Sequence, residues 1–94
     1  MSIENTIKNM SLDERAGQLV MSSFTGRTSI PEETVELIKA GAAGSILYFS
    51  GCNVVDALQL RSLTEKVQKA SLESKAGLPQ FIAIDQEGGQ LAPI

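Results

Sequence analysis

The residue types best suited to chemistry lie together near the C-terminal end of the sequence. An apolar run at 81–84 is followed directly by the sequence Asp-Gln-Glu-Gly-Gly at 85–89. A short apolar run between turn residues predicts a strand that is buried on both faces, as in a parallel sheet. Asp85 and Glu87 would then lie at the carboxyl end of that strand, where α/β folds bind ligands. Gly88 lets the backbone turn or approach a ligand closely, although a polar surface turn would have the same composition.

Composition and charge limit the classes of function. The sequence has 94 residues, of which 43% are hydrophobic and 20% charged, so one small packed domain over 1–94 is expected. Eight basic residues against eleven acidic ones give a net charge of −3, and there are only three phenylalanines, one tyrosine and no tryptophan. Without a basic cluster or aromatic residues between basic ones, nucleic acid is not an expected partner.

The sequence contains no histidine and a single cysteine, Cys52. These residues therefore offer no histidine general base or ligand, no internal disulfide and no cysteine metal site. No cofactor and no metal are implied, and Cys52 is predicted to be an inert small residue. The N-terminus lacks a basic region followed by an apolar run, and no stretch approaches the ~20 apolar residues of a membrane span. A soluble, cytoplasmic chain with no membrane partner is the expectation.

Three apolar runs, at 18–24, 45–49 and 81–84, predict three strands with helices between them. Strands that alternate with helices favour right-handed βαβ crossovers and a parallel sheet, hence an α/β fold. The loops that leave the first two strands, at 25–29 and 50–53, should then meet the segment after the third strand at one edge of the sheet.

Cap residues predict where the helices begin and end. Ser11 and Glu14 fit a capping box, and the helix that they open should end near Gly17. Pro31 opens a second helix, which Gly41 or Gly44 can close.

The longest periodic segment predicts an amphipathic helix from Val54 to about Ala76. Asn53 is predicted to cap its start, and the Gly-Leu-Pro sequence at 77–79 is predicted to end it. Leu63 and Val67 belong to its predicted buried stripe.

Several segments are similar to one known enzyme family. Residues 82–89 resemble the Asp-Gln-Glu-Gly-Gly motif of family 3 glycoside hydrolases, in the β-N-acetylhexosaminidase branch. Residues 11–19, 45–49 and 57–64 are also similar to segments of that family. The resemblance runs from 11 to 89 and covers only the N-terminal part of a family catalytic domain. The sequence departs from the family pattern after the two glycines, where Gln90 and Leu91 stand in place of the usual Arg-Val.

The resemblance implies a fold, a reaction and a set of site residues. The fold would be the N-terminal portion of a TIM (β/α)8 barrel, about three βα units. The reaction would be retaining hydrolysis of O-glycosyl bonds, with terminal β-N-acetylglucosamine residues as the carbohydrate substrate. The family aspartate that matches Asp85 binds sugar hydroxyls, and Glu87 and Gly88 belong to the same substrate-binding motif. The family nucleophile and acid/base lie on later segments, so no catalytic residue is assigned here.

The two acids of the motif are not predicted to be a catalytic pair. Glycoside hydrolysis needs two carboxyl groups that flank the scissile bond. Asp85 and Glu87 come from the same strand end, two residues apart, so they cannot flank a sugar from opposite sides. The isolated chain is therefore predicted to be inactive.

Two hypotheses remain open from the sequence. One is the N-terminal part of a glycosidase, and the other is a non-catalytic small α/β binding or oligomerisation module. A phosphate or dinucleotide site is disfavoured, since no glycine-rich phosphate motif follows any predicted strand. In either case the outer strands would have unpaired edges, through which the chain could self-associate.

Overall fold

The computed structural model describes residues 2–84. Asp85, Glu87 and Gly88, predicted to bind substrate, lie outside the described residues. The helices are α1 (Ile3–Lys8), α2 (Leu12–Gly17), α3 (Glu32–Lys39), α4 (Ser50–Asn53) and α5 (Ala57–Leu72). The strands are β1 (Met21–Ser22), β2 (Ser45–Tyr48) and β3 (Phe81–Ile84).

The strands form one parallel sheet in the order β1-β2-β3. Ser45 of β2 pairs with Met21 on one side and with Phe81 on the other. Helix α3 connects β1 to β2, and α5 connects β2 to β3. The predicted mixed α/β chain with a parallel sheet is therefore confirmed.

The core lies between the sheet and the two crossover helices. Side chains alternate between the faces of a strand, and Ile46 and Tyr48 of β2 are both almost fully buried. Helices α3 and α5 contact each other and cover this face, so both crossovers lie on one side of the sheet. The core cluster comprises Phe24, Ile38, Ile46, Tyr48, Leu63, Val67 and Ala70.

No described element covers the opposite face of the sheet. The register places Met21, Ser45 and Phe81 side by side on this face, where Met21 is 54% and Phe81 74% exposed. The prediction that β3 is buried on both faces is wrong for the described chain. Ile82, on the helix side, is also 37% exposed, because β3 is an edge strand of the sheet that residues 2–84 form.

Strand β1 is much shorter than the predicted run 18–24. The backbone after α2 first completes a turn, in which Leu19 N–H donates to Ala16 O and Val20 N–H donates to Gly17 O. Beyond Ser22 the chain leaves the ladder and makes its hydrogen bonds with a neighbouring loop. A local apolar pattern could not show this, because the competing partners are distant in sequence.

The predicted limits of α5 are corrected at both ends. Asp56 caps the helix, since its carboxylate accepts from Gln59 N–H at 2.8 Å, whereas the predicted cap, Asn53, is the last residue of α4. The helix ends at Leu72, because the Ser74 hydroxyl donates to Ser71 O at 2.6 Å and closes a local turn. Among residues 2–84 no helix is long and apolar enough to cross a bilayer.

The caps predicted for α2 and α3 are confirmed. The Ser11 hydroxyl accepts from Glu14 N–H at 3.1 Å, and the Glu14 carboxylate accepts from Ser11 N–H at 2.9 Å. Helix α3 closes at Gly41, which has a φ of 74°. Gly41 N–H donates to Ile38 O, and the next N–H donates to Leu37 O, as in a Schellman motif.

Candidate functional site

Two loops leave the sheet at the carboxyl ends of their strands. The β1 exit loop comprises residues 23–31 and the β2 exit loop residues 49–56; the second contains α4. Gly26 N–H donates to Cys52 O at 3.2 Å, and the Arg27 guanidinium donates to Gly51 O at 2.7 Å. The predicted meeting of these two loops is therefore confirmed, and β3 ends at the same edge at Ile84.

Asn53 joins the two loops from the inside. Its side chain is fully buried, and its amide nitrogen donates to Phe24 O and to Gly26 O, both at 2.9 Å. Its amide oxygen accepts from Phe49 N–H, also at 2.9 Å. One side chain thus satisfies backbone groups of both exit loops.

Gln59, in the first turn of α5, joins the same loops from the outside. Its amide nitrogen donates to Asn53 O at 2.7 Å and also to Arg27 O. Its amide oxygen accepts from Val55 N–H at 2.8 Å. The sequence does contain a signal for part of this arrangement, because Asp56 and Gln59 have the spacing of a capping box. No local signal indicates the observed role of Asn53, whose carbonyl partners Phe24 and Gly26 lie far away in sequence.

The two aromatic residues at the end of β2 have different environments. Tyr48 is 1% exposed, shares a hydrogen bond of 2.8 Å with the Thr64 hydroxyl, and packs edge-to-face on Phe24 with ring centres 6.4 Å apart. It is a core residue. Phe49 is 43% exposed and lies in the β2 exit loop, so of the two it is the one accessible to a ligand.

Titration of Tyr48 provides a check on this packing. Burial raises the pKa of the phenol above its ordinary value of 10.0, while the Thr64 hydrogen bond acts in the opposite direction. The unfolded chain therefore loses the Tyr48 proton first, and we expect the free energy of unfolding to fall as the pH rises through the folded-state pKa. Below the unfolded-state pKa this contribution is fully present.

The measurement is a series of urea unfolding curves from neutral to alkaline pH, with Tyr48→Phe as the comparison. Tyr48 is the only tyrosine, so the absorbance of its phenolate reports the same titration directly. Equal alkaline losses of stability in the two proteins would contradict a buried phenol.

The described part of the edge bears hydroxyl groups and a guanidinium group. Ser23, Thr25 and Ser29 are exposed in the β1 exit loop, beside the Arg27 guanidinium. Within residues 2–84 no group of three or more His, Cys, Asp or Glu residues could hold a metal. Hydroxyl groups donate and accept hydrogen bonds and a guanidinium group donates them, and a sugar can form bonds of both kinds.

A concave surface lies elsewhere. A groove of about 780 Å³ runs along the outer side of α5 and is lined by residues including Leu60, Thr64, Gln68 and Leu72. The Gln68 side chain exchanges two hydrogen bonds with the backbone of Gln80, directly before β3. The groove therefore belongs to the helix layer and not to the loop edge.

Comparison with known proteins agrees with this geometry. The family model described as "Glycosyl hydrolase family 3 N terminal domain" matches residues 11–94. Beta-hexosaminidase A of Pseudoalteromonas piscicida is 46% identical over 67 residues, which is 71% of this chain and 11% of that protein.

Two solved structures are similar as well. A glycoside hydrolase family 3 β-N-acetylglucosaminidase from Paenibacillus sp. str. FPU-7 superposes with a TM-score of 0.78 and 34% identity, over 90% of this chain and 16% of its own. A fungal multi-domain family 3 β-N-acetylglucosaminidase gives a TM-score of 0.79 and 34% identity, over 88% of this chain and 10% of its own.

These relatives are glycoside hydrolases, and the chain spans only a small part of their length, 11% of the hexosaminidase. The family model, in contrast, covers nearly the whole of the chain, from residue 11 to residue 94. The fold, the parallel strand order and the sequence matches agree. The chain therefore belongs to glycosyl hydrolase family 3.

Proposed function

We propose that this chain is the N-terminal part of a retaining glycoside hydrolase that removes terminal β-N-acetylglucosamine residues. The relatives named as β-hexosaminidase and β-N-acetylglucosaminidase support this substrate class. The observation that carries the proposal is the common edge at which all three parallel strands end and where the two exit loops are joined. In α/β folds that edge binds the ligand.

The chain would supply about three βα units of a (β/α)8 barrel. Two geometric features are those that a barrel requires. The strand order β1-β2-β3 follows the sequence, and both crossover helices cover the same face. The other face, which bears Met21 and Phe81, would then line the barrel interior.

The groove along α5 fits the same proposal. A crossover after β3 would be right-handed like nearly all such connections, so its helix would lie on the helix side of the sheet, next to α5. The groove offers apolar side chains there, including Leu60 and Leu72. Ile82 of β3, 37% exposed on the same side, would be covered by that helix.

Asp85, Glu87 and Gly88 are proposed to bind the sugar. They follow Ile84, the last residue of β3, directly in the sequence. A carboxylate such as Asp85 can accept charge-assisted hydrogen bonds from two sugar hydroxyls at once. The nucleophile and the acid/base would come from later parts of the protein, so the isolated 94-residue chain would bind sugar at most weakly and would not hydrolyse it.

The first test is to read the coding sequence past Ile94 and to assay the complete gene product with para-nitrophenyl N-acetyl-β-glucosaminide. We expect turnover, and we expect Asp85→Asn to lower kcat/KM at least about tenfold through the loss of charge-assisted hydrogen bonds. The matched control is Asp56→Asn, because asparagine caps α5 as well as aspartate does.

Two results would overturn the proposal. One is a complete gene product without turnover, and the other is equal activity in the Asp85 and Asp56 variants. A stop codon directly after Ile94 would favour the non-catalytic module. Turnover by the purified 94-residue chain that Asp85→Ala abolishes would contradict its predicted inactivity.

A further inference from the structure

We propose that Asn53 is a positioning residue, which fixes the separation of the two exit loops at the sugar-binding edge. This inference rests on the proposed function, since it assigns Asn53 to the same edge. Asn53 itself would not contact the sugar, because its side chain is fully buried. It would act through the backbone of the β1 and β2 exit loops.

The loops need such a connection because the sheet ladder stops before them. Strand β1 ends at Ser22 and β2 at Tyr48, yet the two segments that follow these strands stay in contact. All three side-chain hydrogen bonds of Asn53 go to main-chain groups, two in the β1 exit loop and one in the β2 exit loop. The Asn53 amide therefore takes the place of ladder hydrogen bonds.

Burial makes this connection rigid. Without competition from water, each hydrogen bond of a buried amide is strong, and an unpaired backbone group would be costly. Gln59 holds the same loops from the partly exposed side, through Arg27 O and Asn53 O. The exposed groups of the edge, such as Phe49 and Arg27, are thus attached to a backbone that is held on both sides.

The chain offers a matched control at the amino ends of the strands, opposite the exit loops. Gln80 is 7% exposed, and its amide nitrogen donates to Ala43 O at 2.8 Å and to the Ser71 hydroxyl at 3.0 Å. It lies directly before β3, at the amino end of the strands. Truncation of Gln80 also removes a buried amide with two donor bonds, but it leaves the exit loops in place.

The test compares Asn53→Ala, Gln59→Ala and Gln80→Ala in the complete gene product, with para-nitrophenyl N-acetyl-β-glucosaminide, below the unfolding temperature of every variant. We expect Asn53→Ala to raise KM roughly tenfold to a hundredfold, because displaced binding groups cost about this much, while kcat changes little. Gln59→Ala should raise KM by a smaller factor. Gln80→Ala should lower stability but keep KM within about twofold of the wild type.

Gln59 is partly exposed, so Gln59→Ala is expected to fold even if Asn53→Ala does not. Its KM then tests whether the connection between the two loops matters for binding. Equal KM values in the Asn53 and Gln80 variants would overturn the proposal, and so would an unchanged KM in Gln59→Ala if Asn53→Ala is unfolded.

Hydrogen exchange separates this inference from the proposed function. In Asn53→Ala we expect faster exchange at the Phe49 and Gly26 amides, with the amides of β2 unchanged. A wild-type protein without turnover would overturn the proposed function and the KM prediction, while exchange would still decide whether Asn53 holds the loops. Uniformly faster exchange over the whole sheet would show that Asn53 has only a general structural role.

Discussion

Replacing Gly17 with alanine is expected to destabilise the protein strongly. A Cβ at Gly17 would lie 1.9 Å from Gly41 O, 2.9 Å from Gly41 C and 3.0 Å from Ala42 Cα. All three are backbone atoms, so no flexible side chain can move aside. Gly41 is itself held by the Schellman turn at the end of α3, with a φ of 74°. Helix α2 would have to separate from this turn.

We expect the Gly17→Ala substitution to cost about 3 kcal/mol or more, the upper range for overpacking. A small domain has only about 5–15 kcal/mol of total stability, so the substitution would remove a large fraction of it. Urea unfolding followed by circular dichroism measures the loss directly. Both contacting segments lie within the 94 residues.

Gly51→Ala is the matched control for Gly17→Ala. Gly51 lies in α4, and nothing stands within 4 Å of the position that its Cβ would take. Alanine restricts the unfolded chain and favours helix, so this change should be neutral or should stabilise by up to about 1 kcal/mol. Similar losses in the two variants would contradict the close approach of α2 to the α3–β2 turn.

The same close approach explains where the sheet begins. A Cβ at Gly44 would lie 2.7 Å from Gln18 Cα, so the residues just after α2 also contact the backbone just before β2. Gly44 N–H donates to Val20 O, next to the first ladder pair, Met21 with Ser45. Gly17 and Gly44, which have no side chains, therefore allow α2 to lie against the start of the ladder. This fixes the amino end of β1, just as Asn53 holds the chain beyond its carboxyl end.

The fold was predictable where local patterns and packing agree. The alternation of apolar runs with amphipathic segments indicated parallel strands and crossover helices, and Leu63 and Val67 are buried as predicted. The capping box at Ser11 and the glycine end of α3 were also predictable, because each depends on residues within one or two turns. These features require no knowledge of distant contacts.

The candidate site was predictable only in its location. The meeting of the two exit loops follows from parallel strands, but the residues that hold them do not follow from any local rule. Asparagine after a strand resembles a helix cap, and only the tertiary contacts with Phe24 and Gly26 give Asn53 its observed role. The exposed Phe81 shows the same limit. An apolar strand pattern predicts that both faces of the strand are covered, but it does not show whether the covering residues lie within these 94 residues.

Phe81→Lys is expected to weaken self-association of the isolated chain and to lower the stability of the complete gene product. Within residues 2–84 Phe81 is 74% exposed on the sheet face that no described element covers, beside Ser45 and the half-buried Ala83 and Leu47. Exposed apolar surface next to an unpaired strand edge favours association of copies of the chain. A lysine there should weaken that association, roughly tenfold in the dissociation constant for each 1.4 kcal/mol of lost apolar contact.

Sedimentation of the isolated chain over a range of concentrations measures the association. Leu58→Lys is the matched control, because Leu58 is 80% exposed but lies on α5, away from the sheet. If both lysine variants associate like the wild type, the sheet face is not the contact surface. If both become equally monomeric, the effect comes from charge alone.

In the complete gene product the same substitution tests the barrel. If the face that bears Phe81 lines a barrel interior, Phe81→Lys places an unpaired charge among apolar side chains, which costs several kcal/mol. We therefore expect a large fall in unfolding temperature for Phe81→Lys and little change for Leu58→Lys. An unaffected unfolding temperature would mean that this face stays open to solvent, which would contradict a closed barrel.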